Sequence, residues 1–317
     1  MNPEAVLGID TSCYTTSCAI VSMDMKVLAS IRLPLTVAFG EKGLRQSEAV
    51  FQHVRQLPDA IERALESSYR PGILAVSASE APTHREGSYM PVFAAGLSFA
   101  RSIAQALGVP CFTASHQQGH FAAARIGVEE LPDTHLGMHL SGGTTEVVLI
   151  EGEGLLLLLG TNDISAGQLM DRVGVALGLP FPAGPEMERL AGLVDVQGRY
   201  SAIVREGTCS FSGAEAAALR DVAEGLPAVN IAAEVYDCIS RTALKMATSA
   251  SKATGIKQLL VTGGVASSKL LRRLMETRAK KRGMPLQLYF GQAQYAGDNA
   301  AGLAMIGVEK LHKLQEV

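Results

Sequence analysis

The sequence predicts an α/β protein built from two duplicated domains, and three observations support this. An apolar strand, a hydroxyl-rich turn and a second apolar strand open the chain, and this hairpin pattern returns about 130 residues later. Short buried-strand patterns and helical spacings alternate after each hairpin, as in α/β domains. The length of 317 residues fits about two domains. Two unrelated hairpins would give the same local pattern, so duplication is one of two interpretations here.

The first half alternates strands with helices. Its predicted strands are Ala5–Ile9, Ser17–Val21, Val27–Leu33, Ile73–Ser77 and Val109–Thr113, and its predicted helices are Ser47–Glu66 and Gly96–Leu107. The apolar positions at helical spacing in the first helix are Val50, Val54, Leu57, Ile61 and Leu65. Pro58 is expected to kink or divide this helix because proline lacks an amide hydrogen. Gly108 is expected to end the second helix.

The second half repeats the alternation. Its predicted strands are Leu136–Leu140, Val147–Ile150, Leu259–Val261 and Leu286–Phe290. Its predicted helices are Gln168–Leu177, Asn230–Thr254, a basic helix from Ser268 and a closing helix from Asp298 to Lys313. A loop rich in proline and glycine occupies 180–185.

Composition excludes several classes of protein. Apolar residues make up 47% of the chain and charged residues 19%, which suits a packed core and not a disordered chain. The formal net charge of −3 excludes a strongly basic nucleic-acid binder over the whole chain, though not a local basic patch. The five cysteines form no CxxC pair, the N-terminus has no signal-peptide pattern, and the leucine run 155–159 is too short for a membrane helix. We therefore expect a cytoplasmic protein with no membrane partner.

Three turns are candidate ligand contacts. The hairpin tips Asp10-Thr11-Ser12 and Ser141-Gly142-Gly143-Thr144-Thr145 combine backbone amides with hydroxyls, which suits a phosphate, and a carboxylate there can hold a metal or orient water. Gly263-Gly264 joins a buried strand to a helix, where the backbone can approach an anionic ligand. Ordinary polar hairpin tips and a plain strand-to-helix turn are the structural alternatives.

A histidine pair is a candidate metal site. In His116-Gln117-Gln118-Gly119-His120 the two imidazoles are four positions apart, so a helix places both on one face. Asp298, just before the closing helix, is the best distant carboxylate, although it also suits a helix cap. Two histidines and an aspartate with open positions suit iron or zinc. A structural or solvated pair is the alternative.

Two further segments carry candidate contacts. Asp171 can accept a hydrogen bond from a ribose hydroxyl, and the rigid loop 181–185 can form a ligand wall. The alternative for Asp171 is a surface helix charge. The helix 268–282 holds seven basic residues and one acidic residue, Glu276, and can contact a phosphate backbone or be a solvated face.

These segments, in the same order, resemble the TsaD/Gcp/OSGEP family over nearly the whole chain. The stretches that carry the resemblance are GIDTSCYTTSCAIV, GLSFARSIA, HQQGH, SGGTTEVV, the Asp171 segment with FPAGP, CSFSG, LLVTGGVASS and YAGDNAA. The resemblance implies the ASKHA (actin-like ATPase) fold, with two duplicated domains around a nucleotide cleft. We assign domain I to 1–115, with the C-terminal helix 298–317 packing back on it, and domain II to 116–297.

The resemblance also implies site residues and chemistry. Members of this family, which has also been named O-sialoglycoprotein endopeptidase, transfer a threonylcarbamoyl group to the tRNA adenine beside the anticodon. His116, His120 and Asp298 are the implied ligands of a divalent iron or zinc ion, and Asp10, Ser12 and Asp298 are the candidate catalytic residues. The implied contacts of an ATP/AMP-type adenylate are Ser141, Gly142, Gly143, Thr144, Asp171, Gly184, Gly263, Gly264 and Ser268. In the implied mechanism the metal polarises the carbonyl of threonylcarbamoyl-adenylate, AMP leaves, and the adenine amine attacks.

The chain departs from the family pattern at several functional positions. Tyr14 and Thr15 replace two acidic residues, Thr144 replaces a histidine, Ser268 an asparagine and Glu215 a lysine, and 79–87 replaces a GPGL-type loop. Four functions therefore compete: a tRNA threonylcarbamoyl transferase, a catalytically impaired nucleotide- and metal-binding partner protein, a carbamoyltransferase with another acceptor, and a metallopeptidase. The last is disfavoured because no general-base glutamate accompanies the histidines. The expected partners are tRNA and either other subunits of a threonylcarbamoylation complex or a family homologue.

Overall fold

A computed structural model describes residues 3–12, 14–37, 44–128, 130–297 and 300–315. The chain separates into two compact units, residues 1–126 with 297–317 (unit 1) and residues 127–296 (unit 2). The domain assignment made from the sequence, 1–115 and 116–297, stays a prediction, because compact units and duplicated modules need not share a boundary.

The described residues of unit 1 form a sheet with helices on both faces. In chain order, its elements up to residue 126 are β1 (Glu4–Thr11), β2 (Thr15–Ser22), β3 (Val27–Pro34), α1 (Gln46–Ser67), β4 (Gly72–Ala81), α2 (Pro91–Leu107), β5 (Cys111–Ser115) and α3 (His116–Ala124).

Unit 2 continues the chain with a second sheet and its helices. Its elements are β6 (Thr134–Leu140), β7 (Thr145–Glu151), β8 (Gly154–Thr161), α4 (Ala166–Ala176), α5 (Gly184–Ala191), β9 (Ile203–Arg205), β10 (Thr208–Ser210), α6 (Ser212–Ala223), α7 (Ala228–Thr254), β11 (Gln258–Thr262), α8 (Lys269–Lys281) and β12 (Gln287–Phe290), and the chain then returns to unit 1 as α9 (Ala301–Gln315).

The central strand β1 is buried on both faces because apolar side chains point to either side of it. Leu7 and Ile9 pack with Leu57 of α1 and Ala100 of α2 in one cluster. Val6, on the opposite face of the strand, packs in another cluster with residues of α9. A strand covered by helices on both faces has a continuous apolar run in its sequence, as this one does.

The two sheets share one strand order, which supports the duplicated pattern seen in the sequence. In unit 1 the order is β3-β2-β1-β4-β5, with β1–β2 and β2–β3 antiparallel and β1–β4 and β4–β5 parallel. In unit 2 the order β8-β7-β6-β11-β12 has the same sequence of antiparallel and parallel pairings, and β10 and β9 extend it beyond β8. Each hairpin tip therefore follows the central strand of the shared five-strand order.

Helix α1 differs from its prediction in two ways. It is continuous through Pro58, so the expected division there is wrong; Pro58 is exposed, and solvent can satisfy the carbonyl that lacks a proline amide. The buried face is also rotated from the predicted stripe, since Val54 is 44% exposed. The buried residues of the helix are Ala49, His53, Leu57, Ala60 and Ala64. The predicted stripe missed this face because alanine and histidine are weak apolar signals.

Other differences concern boundaries and short elements. Helix α2 begins at Pro91 instead of Gly96, although it ends as predicted at Gly108, whose φ is 67°. The leucine run 155–159 lies within strand β8, and the short strands β9 and β10 and the helices α5 and α6 were not predicted. Within the described ranges, no helix combines the length and apolar character needed to cross a membrane.

Candidate functional site

The hairpin tip of unit 1 and helix α3 bring Asp10 and His116 together. Asp10 is the second-last residue of the buried strand β1 and is itself fully buried. Helix α3 begins directly after β5, where Ser115 and Gln118 form a capping box that fixes its first turn. The His116 Nδ1 atom lies 3.1 Å from Asp10 Oδ1. Since a carboxylate only accepts hydrogen bonds, Nδ1 carries the imidazole proton, and Nε2 presents its lone pair.

His116 and His120 face each other through the ring atoms that can bind a metal. Their Nε2 atoms are 3.0 Å apart, and the rings meet edge to face with centroids 4.4 Å apart. The spacing of four residues predicted this shared face. The side chain of His116 is 18% exposed, so one edge of the pair is open to solvent. Phe93 of α2 packs against the His116 ring at 5.8 Å between centroids.

These residues fit a divalent metal. Two imidazole nitrogens that bind one ion at about 2.1 Å lie within about 4.2 Å of each other, and the observed separation of 3.0 Å satisfies this. A metal-bound histidine normally donates its other ring hydrogen to a carboxylate, which is the relation between His116 and Asp10. Asp10 Oδ2 is buried and has no hydrogen-bond partner among the described residues.

The predicted third ligand, Asp298, lies outside the described residues. Across the described part of the chain, no group of three or more histidine, cysteine, aspartate or glutamate side chains is arranged to hold a metal ion. The assignment of Asp298 as a ligand and as a catalytic residue therefore stays a prediction.

His53 of α1 supports the Asp10–Ser12 turn, and sequence reasoning missed it. The ring is fully buried, with Nε2 2.7 Å from the Ser12 carbonyl oxygen and Nδ1 2.8 Å from Thr16 Oγ1. Nε2 therefore donates to the carbonyl. Burial lowers the pKa of His53, against smaller raising effects from the Ser12 carbonyl and Asp10, so the ring is neutral near pH 7. Thr16 Oγ1 also lies 2.7 Å from Gln56 Oε1, and its one hydrogen can serve either that oxygen or His53 Nδ1. The signal that could have identified His53 is its position four residues before Leu57, which places both side chains on the buried face of α1.

Hydrogen bonds to α2 fix Thr11, and a hydrogen bond to the first residue of β2 fixes Ser12. Thr11 Oγ1 donates to the Val92 carbonyl at 2.9 Å and accepts from the Gly96 amide at 3.1 Å. A Cβ atom on Gly96 would lie 2.7 Å from Thr11 Oγ1, so glycine permits this close approach of α2. Ser12 Oγ donates to the Thr15 carbonyl at 3.4 Å. The predicted turn Asp10-Thr11-Ser12 is therefore wrong for its first two residues, because Asp10 and Thr11 belong to strand β1 and pair with Ser17 and Thr16 of β2, and only Ser12 follows the strand.

The hairpin tip of unit 2 exposes two backbone amides. Ser141 closes the turn, because its amide donates to the Thr144 carbonyl at 2.9 Å and its Oγ accepts from the Thr144 amide at 3.0 Å. Gly142 and Gly143 are exposed, and their amides donate to no atom among the residues that the structure describes. A Cβ atom on either glycine would meet nothing within 4 Å. Open space beside two exposed amides is the arrangement that a phosphate needs.

The start of helix α4 packs against this turn. Ser165 Oγ donates to the Gly142 carbonyl at 2.6 Å, and the Gly167 amide donates to the Ser141 carbonyl at 3.2 Å. A Cβ atom on Gly167 would lie 2.6 Å from the Gly142 Cα, so no other residue fits there without movement. The positive end of the α4 dipole therefore lies at the turn.

Gly263 brings the second glycine turn beside the first. Strands β11 and β6 are parallel neighbours with Thr262 opposite His139, so both turns leave the same end of the sheet. Gly263 has φ +105°, and a Cβ atom there would lie 2.3 Å from the Leu140 carbonyl oxygen. Gly264 is exposed, with nothing within 4 Å of a Cβ position. The fold therefore brings the turn after β6, with Gly142 and Gly143, and the turn after β11, with Gly263 and Gly264, to one end of the sheet.

Asp171 and Gly184 are linked through the loop between α4 and α5. Asp171 Oδ1 accepts from the Ala183 amide at 2.8 Å, and the buried Tyr236 donates its hydroxyl to the Gly184 carbonyl at 3.2 Å. Burial raises the pKa of Asp171 above its usual range, and the Ala183 amide opposes this. Asp171 is therefore a half-buried carboxylate that positions the loop, and not a solvated surface charge.

The departures from the family pattern have distinct structural settings. Ser268 is the N-cap of α8, where its Oγ accepts from the Leu271 amide at 3.1 Å. Glu215 Oε1 lies 3.2 Å from Arg172 Nη1, so the position of the family's lysine is part of an ion pair. Tyr14 is 50% exposed.

Comparison with known proteins agrees with these features. A family model described as TsaD: tRNA N6-adenosine threonylcarbamoyltransferase matches residues 27–305. The chain is 36% identical over 309 residues to the tRNA N6-adenosine threonylcarbamoyltransferase of Thermus thermophilus, across 95% of this chain and 91% of that protein. It is 30% identical to the protein of the same name from Latilactobacillus sakei, across 96% of this chain and 90% of that protein.

Solved structures with the same architecture are far more distant in sequence. The T. kodakarensis HypF structure matches with a TM-score of 0.68 at 14% identity, across 98% of this chain and 48% of that one. A ROK family glucokinase from Streptomyces griseus matches with a TM-score of 0.55 at 14% identity, across 95% and 98%. At such identity the likeness shows the fold alone, and it confirms the predicted ASKHA fold. By sequence, the chain belongs to the TsaD family, described as tRNA N6-adenosine threonylcarbamoyltransferases.

Proposed function

We propose that this chain transfers a threonylcarbamoyl group from an adenylate to an adenine amine of tRNA, using a divalent metal held by His116 and His120. The observation that carries the proposal is the arrangement of Asp10, His116 and His120, in which a carboxylate orients one imidazole and two Nε2 atoms lie 3.0 Å apart. The relatives of the same family are named for this transfer, which supports the same acceptor and donor group here.

The metal would be held by the His116 and His120 Nε2 atoms, with Asp298 as the proposed third ligand. A divalent iron or zinc ion supplies a Lewis acid that polarises a carbonyl or phosphoryl oxygen when it is bound. The chain itself orients the ligands: Asp10 fixes the His116 tautomer, and His53 holds the Ser12 carbonyl beside it.

The adenylate phosphate would bind at the exposed amides of Gly142 and Gly143, where the N-terminus of α4 adds a favourable dipole. The nucleoside would lie along Asp171, Gly184 and the Gly263–Gly264 turn. These residues supply backbone groups and one carboxylate, which suit ribose hydroxyls and an adenine edge.

In the reaction, the exocyclic amine of adenine forms a bond to the carbamoyl carbon. The bond from that carbon to the phosphate oxygen breaks, AMP leaves with the electron pair, and the amine loses a proton to solvent. The backbone amides of Gly142 and Gly143 stabilise the negative charge on the leaving AMP.

The direct test uses the purified chain, synthetic threonylcarbamoyl-adenylate and an unmodified tRNA transcript. We expect AMP release that depends on tRNA, together with threonylcarbamoyl label on the tRNA. The His116→Ala variant should lose both, whereas His312→Ala on the exposed end of α9 should keep both. Release of AMP with a labelled small molecule instead of tRNA would favour a carbamoyltransferase with another acceptor.

One observation favours a second candidate, a catalytically impaired nucleotide- and metal-binding partner protein. At the position of the family's lysine, Glu215 is paired with Arg172 on the helix that carries Asp171. A carboxylate there replaces the positive charge of a lysine with a negative one. Nucleotide binding without AMP release, combined with co-purification of an active family homologue or other complex subunit, would support this candidate.

A further inference from the structure

We propose that a basic cavity between helices α7 and α8 of unit 2 binds a phosphate group. The cavity has a volume of about 350 Å³. Among the described residues that line it, four are basic and none is acidic: Arg241 and Lys245 of α7, and Arg278 and Arg282 at the end of α8. The predicted adenylate contacts are absent from its lining, so the inference goes beyond the proposed transfer and does not depend on it.

A buried aspartate holds two of the guanidinium groups in place. Asp237 is 1% exposed, and its Oδ2 accepts from Arg241 Nε at 2.6 Å, while its Oδ1 accepts from Arg278 Nη2. Arg241 Nη2 also donates to the Tyr200 carbonyl, and Arg278 Nη1 donates to Ser240 Oγ at 2.8 Å. Both side chains are less than one-fifth exposed. Their positions are therefore fixed before any ligand arrives, which reduces the entropy lost on binding.

One carboxylate cannot balance four cations. Asp237 holds Arg241 and Arg278 together, but its single negative charge leaves three of the four positive charges around the cavity uncompensated. Burial lowers the pKa of Arg278; Asp237 opposes this, and the neighbouring cations Arg241 and Arg282 add to it. A bound anion would relieve this repulsion.

The cavity also has hydrogen-bond donors available in a suitable arrangement. Lys245 Nζ donates to the Ala202 carbonyl at 2.6 Å, which uses one of its three hydrogens. The Arg282 side chain is exposed and has no side-chain partner among the residues described. The Nη1 group of Arg241 also has no hydrogen-bond partner among those residues. Guanidinium and ammonium donors around one cavity match the oxygens of a phosphate ester or diester.

The other basic residues of α8 do not line this cavity. Arg272 turns inward, donating to the Ala266 carbonyl and the Gly291 carbonyl at 2.7 Å each, and lies over the Phe290 ring. The basic residues of the predicted phosphate-binding helix 268–282 therefore have different roles. Arg272 stabilises the end of the sheet, whereas Arg278 and Arg282 form the cavity together with residues of α7.

The test compares two double variants that remove the same charge from the same two helices. Lys245→Ala with Arg282→Ala removes the exposed cations of the cavity, and Lys252→Ala with Lys281→Ala removes exposed cations that do not line it. Binding of radiolabelled inorganic phosphate is measured by equilibrium dialysis at constant ionic strength. We expect at least a tenfold weaker phosphate affinity in the cavity variant and no change in the control, with both variants keeping the wild-type melting temperature.

A second measurement identifies the source of the phosphate. Affinity for an unmodified tRNA transcript is measured by fluorescence anisotropy over a salt series. If the cavity variant binds tRNA more weakly than the control, with a salt slope smaller by about 2, the phosphate belongs to the RNA backbone. If tRNA affinity equals that of the control while phosphate affinity is lost, the ligand is a small phosphate ester. Equal phosphate affinity in the two double variants would overturn the proposal. Both experiments measure binding and not catalysis. A chain without transferase activity can therefore still be used to test the phosphate site.

Discussion

The His116 Nδ1 atom lies 3.1 Å from Asp10 Oδ1, although 106 residues separate the two in the chain. The contact joins the end of β1 to the first turn of α3, and it directs the other ring nitrogen of His116 toward His120. A carboxylate that orients a metal-binding imidazole is a positioning residue, and its loss weakens binding without removing a ligand.

We therefore predict graded losses of metal in this site. His116→Ala should abolish stoichiometric binding of divalent iron or zinc, because it removes a ligand. Asp10→Asn should keep the ligand and weaken metal affinity by about 10–100-fold. Metal content after dialysis against a series of chelator concentrations measures both effects. His312→Ala, an exposed histidine of α9, is the matched control and should bind metal like the wild type. Equal metal content in His116→Ala and His312→Ala would contradict the assignment.

His53 should make stability depend on pH. Burial lowers the pKa of His53 in the folded state below its ordinary value of 6.5. The unfolded chain therefore binds a proton on this ring more tightly than the folded chain does. The contribution of the neutral ring is therefore present above pH 6.5 and is lost as pH falls from about 6.5 toward the folded pKa.

The His53→Leu variant tests this dependence. It removes the bonds to the Ser12 carbonyl and Thr16 Oγ1, so we expect the free energy of unfolding at pH 7 to fall by about 1–3 kcal/mol. Urea unfolding between about pH 7 and pH 5 should also show a smaller loss of stability with acid than the wild type. His84→Leu, at an exposed position, is the control. An unchanged slope with pH in His53→Leu would refute the buried neutral ring.

The two glycines after β11 should differ in their tolerance of alanine. Gly263 has φ +105°, and Gly263→Ala places a Cβ atom 2.3 Å from the Leu140 carbonyl oxygen. We therefore expect the free energy of unfolding to fall by about 1–3 kcal/mol. Gly264→Ala meets nothing within 4 Å and should change stability by less than about 0.5 kcal/mol. Denaturant unfolding of the pair measures both; similar losses would contradict the close approach of the turn to β6.

Asp171→Asn should separate stability from ligand binding. Burial raises the pKa of Asp171, so the ionised form destabilises the folded chain as pH rises through the folded pKa. The asparagine keeps an oxygen to accept from the Ala183 amide and has no charge. We expect a higher melting temperature at pH 7 together with weaker AMP binding, and no gain in stability below about pH 3.8. A melting temperature below that of the wild type at pH 7 would contradict this account.

Much of the fold and part of the site follow from local pattern. The two hairpins, the helical spacing of His116 and His120 and the glycine turn after β11 are all visible in the sequence, because each depends on residues close together in the chain. The strand order that places Gly263 beside Leu140 is set by long-range pairing and has no local signature.

Other parts depend on packing that the sequence does not display. His53 reaches the Ser12 carbonyl only because α1 turns its alanine-rich face inward, whereas the larger apolar residues suggested a different face. The basic residues of α8 look alike in the sequence, but buried partners draw Arg272 and Arg278 in different directions. Such partners lie in other elements, so charge counting along one helix cannot separate the roles.

The most direct test of transfer is nucleoside mass spectrometry of tRNA from cells that are depleted of their own threonylcarbamoyl transferase and express this chain. We expect restored threonylcarbamoyladenosine with the wild-type chain and with His312→Ala, and none with His116→Ala. Absence of the modified nucleoside with a folded wild-type chain that retains its metal would contradict the proposed transfer to tRNA.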